Sequence, residues 1–126
     1  MRDFYDLEVW KKAKGLVVEI YSVTANFPKQ ENFGLIDQLR RASNSVCANI
    51  AEGYGRYHTK EKIKFYYIAR GSVSECMNHI LIAEELKYLI NIDGKRLFLE
   101  YETVRKMING LINAISTSSP HSSREV

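Results

Sequence analysis

The sequence predicts an all-α protein, an antiparallel up-down-up-down four-helix bundle. Apolar residues recur at steps of three and four in four long segments, the connections between these segments are short, and no segment alternates with period two for long enough to form a strand. The chain has 126 residues, of which 45% are hydrophobic and 26% charged, and this fits one globular domain with a single core. We expect a bundle domain over residues 1–116 and a disordered, serine-rich tail over residues 117–126.

The first half of the chain predicts two helices. Helix 1 is expected from Leu7 to Ala25 with Asp6 as its N-cap, and Pro28 follows it because proline disfavours helical backbone before it. Its core stripe is Val9, Ala13, Leu16, Ile20 and Val23. Helix 2 is expected from Phe33 to Tyr54. Its core stripe is Leu35, Leu39, Ala42, Val46, Ile50 and Gly53.

The second half predicts two longer helices. Helix 3 is expected to follow Thr59, its N-cap, and to continue to Leu89. Its seven-residue period is carried by Phe65, Ile68, Ser72, Glu75, His79, Ile82, Leu86 and Leu89. Helix 4 is expected from Gly94 to Ser116 with Asp93 as its cap. Its core stripe is Leu97, Tyr101, Val104, Ile108, Leu111 and Ile115.

A second stripe on helix 2 is polar, and an antiparallel turn near residue 58 places two polar residues of helix 3 opposite it. We call these seven residues the polar seam: Gln38, Arg41, Ser45, Asn49, Glu52, Ser72 and Glu75. Such groups are normally buried only when they are paired. We therefore expect a hydrogen-bonded ion pair between Arg41 and Glu75, with Ser45 beside Ser72. A hydrogen-bond network within or between chains is one interpretation of the seam, and a surface for a ligand or nucleic acid is the other.

The positive charge is concentrated at the connection between helices 2 and 3. Residues 55–71 carry five basic side chains and one acidic one, a net charge of +4, in a chain whose total is +3. Aromatic residues are interleaved with these basic groups, and such a combination can bind phosphates and stack on bases. The candidate nucleic-acid-binding residues are Arg56, Lys60, Lys62 and Lys64. A solvated helix start is the alternative, and in either case we expect the lysines to stay outside the core.

Several short runs in this chain resemble one bacterial family. They are Phe27-Pro28, Gln38 to Ala42, Asn49 to Gly53 with Arg56, Ile68-Ala69, and Gly71-Ser72 with Glu75. The chain resembles, over about residues 4 to 115, the four-helix bundle proteins that are encoded within intervening sequences of 23S ribosomal RNA genes. Cys47 departs from the family, which often has proline there. The resemblance implies a non-enzymatic bundle that assembles into pentameric rings and has RNA or DNA as a candidate partner.

Surface patterning also predicts self-association. Helix 3 has apolar or aromatic residues on more than one face, and Ile63, Tyr66, Tyr67 and Met77 require cover beyond the main stripe. Gly71 lies inside the same helix, where glycine costs about 1 kcal/mol relative to alanine, so we expect a close helix contact there. The predicted function is a non-catalytic, self-assembling bundle. The alternative is an enzyme or small-molecule-binding protein that uses the polar seam.

Other classes of function are disfavoured by what the sequence lacks. No apolar run approaches the roughly 18 residues that span a bilayer, and the first 25 residues do not form a signal peptide. Cys47 and Cys76 are too far apart in the predicted register to form a disulfide, so a cytoplasmic location is expected. Glu75 and His79 are a single pair, fewer ligands than a di-iron bundle requires, and no metal or cofactor is expected.

Overall fold

The computed structural model describes residues 1–118 and has four α-helices. They are α1 (Glu8–Thr24), α2 (Leu35–Gly55), α3 (Thr59–Glu85) and α4 (Asn91–Ser118), with 3₁₀ turns at Phe4–Asp6 and Lys29–Glu31. The predicted all-α four-helix bundle is confirmed. Helix α4 runs two residues past its expected end at Ser116, and the rest of the predicted tail lies outside the described residues. No helix within residues 1–118 combines the length and apolar character that crossing a membrane requires.

Side-chain contacts between neighbouring helices establish the antiparallel order. Between α1 and α4, Lys12 Nζ lies 3.5 Å from Glu100 Oε2 and Arg96 Nη1 lies 2.7 Å from Glu19 Oε1. Residue numbers therefore rise along α1 as they fall along α4. The other neighbouring helices obey the same relation in the contacts Thr24–Arg40, Tyr21–Asn44, Ser45–Ser72, Tyr54–Lys62 and Arg70–Asn109.

The core stripes predicted for α1, α2 and α4 are largely confirmed. All six predicted core residues of α2 are buried, from Leu35 to Gly53. In α1, Val23 is only partly buried, and in α4 the buried position near the end is Ile112, flanked by the partly buried Leu111 and Ile115. Burial at steps of three and four is expected for amphipathic helices that each place one face in a shared core.

The stripe predicted for α3 is only partly correct: Ser72, His79 and Leu89 are buried, but the centre of the buried face lies one residue position away from the predicted stripe. The buried stripe is Tyr66, Ala69, Val73, Cys76, Ile80 and Ala83, with Met77 beside it. Ile68, Ile82 and Leu86, which were expected in the core, are 43%, 42% and 49% exposed. Both stripes have three-four spacing, so periodicity does not distinguish them. The buried stripe contains the smaller alanines, which allow α3 to approach its neighbours closely.

Three predicted helix caps are also wrong. Asp6 accepts a hydrogen bond from the Arg2 backbone N–H at 2.8 Å and belongs to the 3₁₀ turn, so α1 begins without a side-chain cap after Leu7. Thr59 is the first residue of α3, and Asp93 lies inside the first turn of α4. A carboxylate in a first turn still interacts favourably with the helix dipole.

Two boundaries differ from the prediction for identifiable reasons. Helix α3 ends at Glu85 because Lys87 adopts a left-handed conformation, with φ of 64°, which turns the chain before Leu89. Helix α2 begins at Leu35, since Glu31 Oε1 accepts the Leu35 backbone N–H at 3.1 Å. The other oxygen of Glu31 accepts from the Tyr88 hydroxyl at 3.0 Å, so one carboxylate joins the connections at the same end of the bundle.

Candidate functional site

The centre of the polar seam is a hydrogen-bonded cluster between α2 and α3. Ser72 Oγ donates to Ser45 Oγ at 2.9 Å, as the predicted placement of these two serines requires. Asn49 Nδ2 donates to the same Ser45 Oγ at 3.0 Å and to the Ser45 carbonyl at 2.8 Å. Ser72 is buried, whereas Ser45 and Asn49 are partly exposed. The cluster therefore lies at the outer edge of the α2–α3 interface.

The predicted ion pair between Arg41 and Glu75 is wrong. Arg41 Nε donates to Asp37 Oδ2 at 2.8 Å, and Glu75 Oε2 lies 3.3 Å from His79 Nε2. Each charge is satisfied within its own helix by a residue four positions away, a spacing that brings side chains together on a helix surface. The Arg41 side chain is 79% exposed, so no buried charge forces it to reach across to α3.

The remaining seam residues lie at the surface. Gln38 and Glu52 are exposed, and Glu52 pairs at 3.0 Å with Arg56, the residue that follows α2. His79 is buried, and its Nδ1 has no hydrogen-bond partner within residues 1–118. The single chain thus satisfies the centre of the seam and leaves most of its length facing outward.

The basic residues at the connection between α2 and α3 make more contacts within the fold than the sequence predicted. Lys62 Nζ donates to the Tyr54 carbonyl at 2.7 Å and lies 3.5 Å from the Gly53 carbonyl, so it caps the C-terminus of α2. Burial lowers the pKa of Lys62. Arg56 stacks over the Phe65 ring at 4.6 Å while it pairs with Glu52. Lys62 is therefore partly buried against the end of α2 while it stays outside the core, whereas Lys60 and Lys64 are exposed.

This cap predicts that Lys62 and Lys64 differ in their effects on stability. We expect Lys62→Gln to lower the free energy of unfolding by about 1.5–3 kcal/mol, the range for hydrogen bonds to charged groups. Lys64→Gln is the matched control and should change it by less than about 0.5 kcal/mol, as surface substitutions usually do. Urea unfolding followed by circular dichroism measures both. Equal effects of the two variants would contradict the capping role.

The two cysteines and Tyr66 are groups that burial keeps neutral. Cys76 is buried and Cys47 partly buried, and both are free thiols. Burial raises the pKa of Cys47 to about 11, that of Cys76 to about 12 and that of Tyr66 to about 12. Thiolates are the reactive form of cysteine, so neither cysteine is activated as a nucleophile.

These raised pKa values predict a loss of stability at alkaline pH. A thiol ionises near pH 9.0 in the unfolded chain but only near 11 at Cys47, so the unfolded state releases protons first. Stability should be fully present below pH 9 and should decrease between about pH 9 and 12. Urea midpoints measured at pH 8 and pH 10.5 test this, and Cys47→Ala should reduce the difference. A midpoint that stays constant over this interval would contradict the prediction.

Within the described part of the chain, no three His, Cys, Asp or Glu side chains are grouped so that they could hold a metal ion. The Glu75–His79 pair is therefore a polar contact of α3 that no third acidic, cysteine or imidazole side chain of residues 1–118 completes as a metal site.

Comparison with known proteins assigns the chain to a family. The model of the family described as "23S rRNA-intervening sequence protein" matches residues 5–110. This chain belongs to that family. A crystal structure from Bacteroides thetaiotaomicron, of a protein with unknown function from the S23 ribosomal protein family, is similar to it with a TM-score of 0.75. The two chains are 20% identical over 83% of this chain and 95% of the other, which supports the shared fold. No curated protein sequence matches.

One surface of this protein, the outward side of α3, was not predicted correctly. We call it the outer face of α3, and all its residues are exposed: Tyr67, Ile68, Gly71, Glu75, Asn78, Ile82 and Leu86. Of the residues expected to need cover, Tyr66 and Met77 are buried within the chain and Tyr67 is 49% exposed. A Cβ atom at Gly71 would meet nothing within 4 Å, so the expected close contact at Gly71 does not occur within the chain. In the sequence, the clearest indication of this face is the stripe that contains Ile68, Ile82 and Leu86, which was assigned to the core.

Proposed function

We propose that this protein is a non-catalytic helical bundle that self-associates through the outer face of α3. The observation that carries the proposal is the exposure of Tyr67, Ile68, Ile82 and Leu86, each between 42% and 49%, along one helix. Large exposed apolar side chains that share one face of a helix are a common feature of interfaces in soluble proteins. A homo-oligomer would cover it, and a pentamer is the arrangement that the family resemblance implies.

Gly71 supports the same assignment. Glycine in a helix interior costs about 1 kcal/mol relative to alanine, and within one chain no neighbouring atom fills the space where its side chain would be. A glycine between Ile68 and Ile82 allows a second helix to approach the backbone closely. Glu75 of the polar seam belongs to this outer face, where a hydrogen bond to another subunit would supply specificity.

Light scattering coupled to size-exclusion chromatography tests the proposal. We expect the native protein to be oligomeric at micromolar concentration and Ile82→Glu to be monomeric with an unchanged helical spectrum. Leu99→Glu is a matched control, because Leu99 is an exposed apolar residue, 59% accessible, on α4. This control should retain the native mass. A monomeric native protein, or an Ile82→Glu variant of native mass, would overturn the proposal.

A second candidate function is nucleic-acid binding at the connection between α2 and α3. Tyr57 is 89% exposed there and packs edge-on against His58, with ring centroids 5.0 Å apart. An exposed aromatic ring among basic side chains suits a nucleic-acid strand. Binding would depend on phosphate neutralisation and should weaken steeply with salt.

Fluorescence anisotropy with single- and double-stranded RNA and DNA tests this second function. The variant Lys60→Glu/Lys64→Glu should abolish binding without loss of helix content, because both residues are exposed and the cap at Lys62 is preserved. If native protein and variant bind equally, or if the native protein binds none of the four ligands at low salt, the connection has no role in nucleic-acid binding.

A further inference from the structure

Two aromatic rings near the connection between α2 and α3 are covered by cations of the same chain. Arg56 Cζ lies 4.6 Å from the centre of the Phe65 ring, and Lys62 Nζ lies 5.5 Å from the centre of the Tyr54 ring. Each cation has a second contact within the fold, the Glu52 carboxylate for Arg56 and the Tyr54 carbonyl for Lys62. These two rings therefore belong to the packing of the single chain.

Tyr57 lies between the same two helices and differs from both of these rings. It is 89% exposed, and among the residues that the structure describes no cation lies over its ring. Its ring contact is with His58, with centroids 5.0 Å apart and planes at 89° to each other. An edge contact of this kind orients the tyrosine ring and leaves most of its surface in solvent.

Two exposed lysines follow Tyr57 at the start of α3. Lys60 and Lys64 are four residues apart, so they lie on the same side of the helix, about 6 Å apart along its axis. Residues 56–64 contain four basic side chains and one acidic side chain, Glu61, which gives a net charge of +3. The surface beside the Tyr57 ring therefore favours the phosphates of a nucleic acid.

We propose that Tyr57 stacks on an unpaired base while Lys60 and Lys64 contact neighbouring phosphates, so that the connection binds single-stranded RNA or DNA in preference to a duplex. This inference rests on the proposed nucleic-acid binding and adds the form of nucleic acid that is bound. The bases inside a duplex stack on one another and offer no open face to a protein ring. Every base of a single strand has a face that can stack, so this contact does not depend on sequence.

Substitution of Tyr57 tests the stacking contact. We expect Tyr57→Ala to raise the Kd for a fluorescein-labelled single strand of mixed sequence by about 5- to 150-fold, the range for loss of one base–aromatic stack. Tyr57→Phe should keep the native affinity, because a phenyl ring also stacks. Both variants should have the native helical spectrum, since the side chain is exposed and lies between α2 and α3.

Two further ligands separate stacking from phosphate binding. A strand of the same length with abasic sites in place of its nucleosides has the phosphates without the bases. The native protein and Tyr57→Ala should bind this strand with equal affinity. A duplex of the same sequence should be bound more weakly than the single strand by the native protein, and Tyr57→Ala should lose this preference.

The salt dependence provides a second readout. Lys60→Gln/Lys64→Gln should reduce the slope of log K against log salt by about 1.4, since each phosphate contact on a single strand contributes about 0.7. Tyr57→Ala should leave this slope unchanged. Phe33→Ala is the matched control, because Phe33 is 98% exposed and lies at the other end of α2. This control should change neither the affinity nor the slope.

The outcomes separate this inference from the nucleic-acid binding on which it rests. A native protein that binds none of the ligands at low salt overturns both. If the native protein binds the duplex as tightly as the single strand, or if Tyr57→Ala keeps native affinity for the single strand, phosphate binding stands and the stacking contact is overturned. Equal losses in Tyr57→Phe and Tyr57→Ala would also overturn stacking, because they would assign the effect to the hydroxyl.

Discussion

Replacing Gly53 by alanine is expected to lower the free energy of unfolding by about 3 kcal/mol, the upper end for added atoms in a packed core. Gly53 is buried in α2, and a Cβ atom there would lie 2.5 Å from Cε1 of the Tyr66 ring and 3.1 Å from the Lys62 carbonyl oxygen. The ring is 1% exposed and cannot move outward freely. Alanine would therefore force α2 and α3 apart near their connection.

Two other glycines provide matched controls for this prediction. A Cβ atom at Gly15 or Gly110 would meet nothing within 4 Å, and both residues lie inside helices. Gly15→Ala and Gly110→Ala should raise the free energy of unfolding by about 0.5–1 kcal/mol, because alanine has the better helix propensity. Urea unfolding of the three variants gives the comparison. If Gly53→Ala were as stable as the two controls, the close contact with Tyr66 would not be a constraint.

A double-mutant cycle of Gly53 and Tyr66 tests whether contact with the ring causes the loss of stability. In a Tyr66→Ala background, the same Gly53→Ala change should be less destabilising, since the atoms it would strike have been removed. Contacting residues show coupling energies of about 0.5–3 kcal/mol. Additive effects would place the cost of Gly53→Ala elsewhere, for example at the Lys62 carbonyl.

The fold was predictable because three helices have one unambiguous apolar stripe. In α2, every apolar residue from Leu35 to Ile50 at three-four spacing is buried, and polar residues occupy the opposite side. Helix α3 is different, since Ile68 and Ile82 compete with Ala69 and Ala83 for the core face. Hydropathy favours the isoleucines, but packing places the alanines inside. A choice between two faces of one helix depends on the shape of its neighbours, which a single sequence does not contain.

The position of the polar seam could be predicted from the sequence. Most of its side-chain contacts could not. The antiparallel register correctly placed Ser45 beside Ser72, because it depends only on where the chain turns. The partners of Arg41 and Glu75 were wrong, since long side chains can also reach residues four positions away in their own helix. The capping role of Lys62 was missed for a similar reason. Its contacts are to backbone carbonyls of α2, and backbone acceptors have no signature in the sequence.

The second large effect is expected at Tyr101. Replacement by alanine should lower the free energy of unfolding, and replacement by phenylalanine should raise it. Tyr101 is fully buried in α4, and burial raises the pKa of its hydroxyl. That hydroxyl lies beside the buried Cys76 thiol, a weak hydrogen-bonding group, and has no other hydrogen-bond partner among the described residues. A buried hydroxyl with only a thiol as its partner is costly, whereas the ring around it fills the centre of the bundle.

We expect Tyr101→Ala to lower the free energy of unfolding by about 3–5 kcal/mol, as deletion of a buried aromatic ring does. Tyr101→Phe should raise it by about 1 kcal/mol, because it keeps the ring and removes a buried hydroxyl whose only partner is the weakly hydrogen-bonding Cys76 thiol. Urea unfolding at pH 7 measures both, where the hydroxyl is neutral in the folded and unfolded states. A destabilised Tyr101→Phe variant would show that the contact with the Cys76 thiol compensates for burial of the hydroxyl. A stabilised variant would show that this contact does not compensate for it, so that the single chain buries the hydroxyl at a net cost.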